Sequence, residues 1–227
     1  MAETIVVCGH GPGISESVAR RFGKAGHRVA IVARNKERLT TAAKSLSDAG
    51  IKAQGFACDL SDANAVKKMI AEVQGALGPI DVVHWNVYTP GAGDLLTASA
   101  QELSVTLGAA VHGLVAAVQA SHADLKAKKG AVLVTGGGFA FYDAGVDAAA
   151  TQWKAQGLAI AKAAQHKTVG LLSKSLEGDG VYVGEVVVTG MVKGTAFDSG
   201  NATLDPNDIA EKFWSLYQER KTTSVTF

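Results

Sequence analysis

The sequence predicts an α/β protein: a doubly wound parallel sheet with helices packed on both faces. Three observations predict it. Short β-branched apolar runs alternate with longer Ala-, Lys- and Glu-rich segments of helical spacing. The runs are almost continuously apolar, as strands buried on both faces are. The first run breaks into closely spaced glycines and resumes as a helix, "VVCGHGPGISESVARRFGKAG" from Val6 to Gly26.

The elements follow in order. "TIVVCG" (Thr4–Gly9) is a strand ending in the glycine turn, and the segment after Gly13 is its helix. "HRVAIVA" (His27–Ala33) is the second strand, with a helix from Lys36 to Ala49. "IKAQGFACDL" (Ile51–Leu60) is the third, followed by the helical segment Ala63 to Leu77. "IDVVHWN" (Ile80–Asn86) precedes a long Ala-rich helix around Gln101 to Lys128. "GAVLVTG" (Gly130–Gly136) is the fifth strand, and Gly157 to Leu176 the helix that leads to "VYVGEVVV" (Val181–Val188). Asp205 and Asn207 flank Pro206 as a helix start, and Ile209, Phe213 and Leu216 form its apolar stripe. A short seventh strand, "TTSVTF", closes the chain.

With 227 residues, no linker and no repeat, residues 1–227 are expected to form one domain with a sizeable core. Hydrophobic residues make up 47% and the net charge is +1, with no cluster of Lys and Arg, so a nucleic-acid partner is not expected. Cys8 and Cys58 match neither a metal motif nor a disulfide framework and are expected as buried thiols. A strand pattern begins at once and no apolar run has bilayer length, so a cytoplasmic protein without a membrane partner is expected.

Gly9, Gly11 and Gly13 sit in the first turn, where missing side chains let backbone N–H groups approach a pyrophosphate at the positive end of a helix. This makes the chain a dinucleotide-binding, Rossmann-type candidate. At the end of the second strand, "VARNKER" carries Ala33 where an acid would receive the ribose hydroxyl of NAD. Arg34 and Asn35 follow it, and a guanidinium beside a small residue suits a 2′-phosphate, which favours NADP.

On these residues the chain resembles the short-chain dehydrogenase/reductase family along nearly its whole length. "GHGPGIS" is similar to the family's TGxxxGIG loop, with Cys8 for the threonine and Ser15 for the last glycine. "CDLSD" resembles the element that addresses adenine, which implies Asp59 and Leu60 there. "DVVHWNVY" lies where the family has NNAG and keeps one asparagine, Asn86. "VTGMVKGT" is similar to the loop flanking the nicotinamide, with Gly190 kept and Thr195 one residue late. The resemblance thus implies Gly9, Gly11, Gly13 and Ile14 around the pyrophosphate, and Asn86, Lys162, Gly190 and Thr195 along the ribose and nicotinamide.

The family's chemistry uses Asn, Ser, Tyr and Lys, with a tyrosine proton relay supported by the lysine. Here Ala110 takes the asparagine's place and Gly136 to Gly138 stand where the serine would be. Counting back from the sixth strand gives Lys162 as the lysine; counting forward from Gly137 gives Lys154. Placing the eight-residue difference in a loop between Phe139 and Gly157 favours Lys162. The residue four before is Leu158 or Ala150, not tyrosine. Tyr142, in that loop, is the candidate stand-in proton donor; His84 and Tyr88 are weaker ones. The expected function is an NADP(H)-dependent oxidoreductase of atypical active site on an unspecified carbonyl or alcohol. The alternative is an NADP-binding regulator or scaffold without turnover. Long helices are expected to build a homodimer or homotetramer, and the short C-terminal third an open or partner-completed pocket.

Overall fold

A computed structural model describes residues 2–227. Seven strands, β1 (Thr4–Cys8), β2 (Arg28–Ala33), β3 (Ala53–Ala57), β4 (Val82–Trp85), β5 (Ala131–Gly137), β6 (Tyr182–Val188) and β7 (Ser224–Thr226), form one sheet. The order is β3-β2-β1-β4-β5-β6-β7 and every pairing is parallel. The helices are α1 (Ile14–Lys24), α2 (Lys36–Asp48), α3 (Ala63–Leu77), α4 (Ala100–Leu107), α5 (Gly113–Lys128), α6 (Ala144–Gln152), α7 (Gln156–Leu176) and α8 (Pro206–Glu219). This is the doubly wound α/β/α arrangement the sequence predicts.

Alternation along each strand divides the core in two. Val6, Ala30, Val83, Val132 and Val183 pack under α3, α5 and α7, against Val66, Ile70, Leu114, Leu125 and Val169. Ile5, Val7, Ile31, Leu133 and Val186 pack on the other face against Val18 and Phe22 of α1, Leu46 of α2 and Phe213 of α8. Burying both faces needs apolar side chains at successive strand positions, which is why these runs lack the polar alternation of a one-sided sheet. From β1 the chain winds outward to β2 and β3, then returns to place β4 on β1's other side. In open α/β sheets such a reversal marks the place for a crevice beyond the carboxyl ends of the strands, here β1 and β4.

Three expectations change. The segment between Phe139 and Gly157 is not a loop throughout: a 3-10 turn (Gly138–Ala140) leads to helix α6. Asp143 caps α6, its Oδ1 accepting from the N–H groups of Gly145 (2.8 Å) and Val146 (3.1 Å), and the Ala-rich stretch behind it propagates the helix. The helix expected around Gln101 to Lys128 is interrupted by a π turn, Gly108–His112, between α4 and α5. Together these form a 29-residue helical stretch, Ala100–Lys128, which is long and apolar enough to cross a bilayer, contrary to the reading from sequence. Half of its most apolar window is buried in the fold, where Leu114, Ala117 and Leu125 belong to the core.

Candidate functional site

The crevice starts at the glycine turn. Gly9 has φ +82° and Gly13 φ +90°, conformations that side chains disfavour, and a Cβ on Gly9 would strike the Asn86 carbonyl. The N–H groups of Gly9 and His10 donate to the Val32 carbonyl (3.0 and 2.8 Å), tying the turn to β2. Gly11 has open space around it. Gly13 lacks a capping side chain, so the first N–H groups of α1, which Ile14 begins, face the crevice unclaimed by a cap. Ser15 adds a side-chain link here: its hydroxyl donates to the Gly9 carbonyl and accepts from Asn86 Nδ2, both at 2.8 Å. This stitches the ends of β1 and β4 together.

Glu16, in the first turn of α1, is an acid beside that positive end. It is occupied by His10 Nε2 (2.8 Å) and Arg20 Nε (2.6 Å). The His10 hydrogen bond, with further help from the Arg20 guanidinium, holds its carboxyl below the usual range, against the opposing effect of burial.

At the edge of the crevice Arg34 and Asn35 are exposed at the end of β2. Asn35 also caps α2, accepting from the Arg38 N–H at 2.9 Å. Asp59 accepts from the N–H (3.0 Å) and hydroxyl (2.7 Å) of Ser61; these bonds, helped by the Arg34 charge, lower its pKa. Leu60 is buried beside it. The two thiols are buried as expected, Cys58 pushed up to about 11 and Cys8 higher still by burial. Among the described residues no cluster of His, Cys, Asp and Glu could hold a metal.

Lys162 lies on α7 at the end of β5. Its ammonium donates to the Thr135 carbonyl (2.7 Å) and to Gln165 Oε1 (2.9 Å), and its methylenes lie 3.5–3.6 Å from where a Gly137 Cβ would stand. Burial lowers its pKa to about 8, with Glu185 opposing. Lys154, the other count, is exposed in the turn between α6 and α7 with φ +51°. The structure does not bring Tyr142 to Lys162. The Asp143 cap pins that segment to α6 and leaves the phenol 100% exposed. His84 is fully buried, pushed down to about 3 by burial, and therefore neutral against Thr135 Oγ1 (3.3 Å) and the Phe213 ring.

The loop after β6 folds over the glycine turn. Thr195 Cγ2 would lie 2.6 Å from a Gly13 Cβ, while its hydroxyl donates to the Val192 carbonyl (2.8 Å); Gly190 is exposed against Leu204. Tyr88 and Phe197 pair across the two loops, ring centroids 5.3 Å apart. Sequence reading passes over Phe197, Gln165 and Glu185. The available signal for the last two is a polar residue on an otherwise buried face.

The short chain dehydrogenase family matches residues 3–203. A putative ketoacyl reductase of Streptomyces coelicolor is 39% identical over 92 residues, 40% of this chain and 35% of that protein. The match therefore spans only about a third of that relative's length. Meso-2,3-butanediol dehydrogenase of Serratia marcescens is 29% identical over 215 residues, covering 93% of this chain and 78% of its own. Among solved structures, a metagenomic short-chain oxidoreductase in complex with NADP superposes with TM-score 0.83 at 22% identity, over 99% of this chain and 96% of that one. L-Sorbose reductase from Gluconobacter frateurii, complexed with NADPH and L-sorbose, gives 0.84 at 20% identity, over 100% and 94%.

Proposed function

The chain belongs to the short-chain dehydrogenase family, and we propose that it is an NADP(H)-dependent oxidoreductase for a small carbonyl or alcohol substrate. When bound, the cofactor supplies hydride transfer. The observation that carries this reading is the uncapped amino end of α1 meeting the open space at Gly11, a cradle where backbone N–H groups await an anion. Gly9, Gly11, Gly13 and Ile14 hold the pyrophosphate. Arg34 and Asn35 take the 2′-phosphate, Asp59 and Leu60 the adenine. Asn86, Gly190 and Thr195 line the far half, and Lys162 holds the ribose with the N–H left over from its two protein contacts. The structures of relatives with NADP or NADPH support the choice of cofactor.

The active site departs from the family pattern. On the resemblance to the family, Gly136 to Gly138, Leu158 and Ala110 stand where its serine, tyrosine and asparagine would be; none of them carries a side-chain proton donor, so slow turnover is expected.

Titration of NADPH fluorescence tests the reading. The wild type is expected to bind with a blue shift. Arg34→Ala is expected to weaken NADPH about tenfold and leave NADH unchanged, since a charge-assisted phosphate contact is worth about 1.5 kcal/mol or more. Equal losses for both cofactors would remove Arg34 from the phosphate site.

The proposal extends to assembly through α5 and α7. Ile160 and Leu171, three turns apart on α7, are 38% and 58% exposed. Leu171→Glu is expected to lower the mass seen by light scattering to that of a single chain, and an unchanged mass would place the contact elsewhere.

A further inference from the structure

Gln165 follows Lys162 by three residues on α7 and is completely buried. Its amide is fixed at both ends: Nε2 donates to the Ala110 carbonyl (3.1 Å) and Oε1 accepts from Lys162 Nζ (2.9 Å). Turning the amide over would set an ammonium against an NH₂ and a carbonyl against a carbonyl, so the orientation is determined by its partners. Ala110 belongs to the π turn Gly108–His112, where the wider helical winding leaves its carbonyl able to take this side-chain donor. The chain Ala110 carbonyl, Gln165 amide, Lys162 ammonium, Thr135 carbonyl therefore links α5's entrance, α7 and β5 through one line of hydrogen bonds, buried at the Ala110 end and part-buried at Lys162.

A lysine head on a four-carbon stem is poorly fixed by itself. Two acceptors fix it here, leaving one N–H for a ligand at the end of β5. Apolar packing of α7 alone would place a leucine or methionine at position 165 at lower desolvation cost. The charged group whose field reaches Lys162 is Glu185 on β6, itself paired with His166 Nδ1 (2.6 Å) one helical turn further along α7.

We propose that Gln165 is a positioning residue of this site: it aims the Lys162 ammonium at the crevice and stands, as a direct amide contact, where Ala110 offers no side chain. This rests on the reading of Lys162 as the residue that holds the cofactor ribose.

Lys162 can be followed directly in protein labelled with ¹³C-lysine, its Cε signal identified by its loss in Lys162→Met. In the wild type it is expected to titrate near 8. Gln165→Met removes an acceptor of the charged form and is expected to move the titration down by about one unit; Gln165→Glu is expected to move it up by at least as much. Should Gln165→Met fail to fold, Gln165→Glu decides. Titration of the folded variants within about 0.3 units of wild type would overturn the proposal. In the same samples Gln165→Met is expected to weaken NADPH about tenfold, the worth of a hydrogen bond to a charged group. A wild type that binds no NADPH would end the cofactor reading while the titration still decides Gln165. Tight, equal binding by all three proteins with Lys162 unshifted would keep the cofactor and remove Gln165.

Discussion

Gly136→Ala is expected to lower stability by about 3 kcal/mol. For a chain of this size that is roughly 6–12 °C in thermal midpoint. Gly136 pairs with Val187 on β6, and a Cβ there would stand 2.5 Å from Glu185 Oε1 and 2.9 Å from its Cδ. The carboxylate cannot swing away at low cost. It is fully buried, and its Oε2 is held by His166 Nδ1 (2.6 Å) and by the Ser224 hydroxyl (3.0 Å). Its other oxygen has no hydrogen-bond partner and lies against the bare glycine. An added methyl must displace a charge that has nowhere else to be solvated. The neighbouring change supplies the control: at Gly137 a Cβ meets only Lys162 methylenes at 3.5–3.6 Å, an ordinary contact, on extended backbone (φ −153°). Gly137→Ala is therefore expected to shift the midpoint by no more than about 2 °C. In a double-mutant cycle, Glu185→Ala is expected to relieve most of the Gly136→Ala cost, measured by thermal or urea unfolding. Additive losses would show that Glu185 is not what keeps position 136 a glycine.

The contrast between these adjacent glycines shows where the sequence stops being legible. Local rules reach the strands, because "TIVVC" or "VLVTG" can satisfy burial on both faces only in a covered sheet. They reach α8, because Asp205 and Pro206 mark its start with side-chain chemistry alone. They reach the glycine turn, where positive φ and closeness to β4 both demand the residue. They do not separate Gly136 from Gly137, since the distinction is a carboxylate 49 positions away on a neighbouring strand. Lys162 and Lys154 likewise look alike in sequence; what separates them is α6, whose Asp143 cap absorbs the extra length as helix and carries Lys154 out to solvent. Gln165 meets Ala110 across 55 residues of sequence. No periodicity reports such a contact. A buried polar residue within "LAIAKAAQHKTVG" is the nearest thing to a sign of it.

Gly137→Ser combined with Leu158→Tyr is expected to raise NADPH-dependent reduction of a small ketone by about 100-fold or more over the wild-type chain, the usual return on a positioned general acid. Leu158 precedes Lys162 by one helical turn, so the two side chains share a face of α7. A phenol at 158 would lie beside an ammonium whose pKa is already lowered to about 8 by burial, and whose charge favours the phenolate once the proton has left. The serine is needed with it. At position 137 the Cβ has room beside the Lys162 stem, and a hydroxyl there is expected to support the charge that gathers on a substrate carbonyl oxygen at the end of β5. Gly137→Ser does not meet the obstacle found at Gly136, and Leu158 is only half-buried, so the pair is expected to fold. The pH profile identifies the donor: the gained rate is expected to fall as pH rises through the pKa of the introduced phenol, which must be protonated to supply its proton. Gly137→Ser combined with Leu158→Phe keeps the ring without the hydroxyl, and is expected to stay at the wild-type rate with NADPH affinity in place. A serine–tyrosine double variant that binds NADPH as well as the wild type and reduces no faster would mean that the end of β5 is not where the substrate oxygen sits.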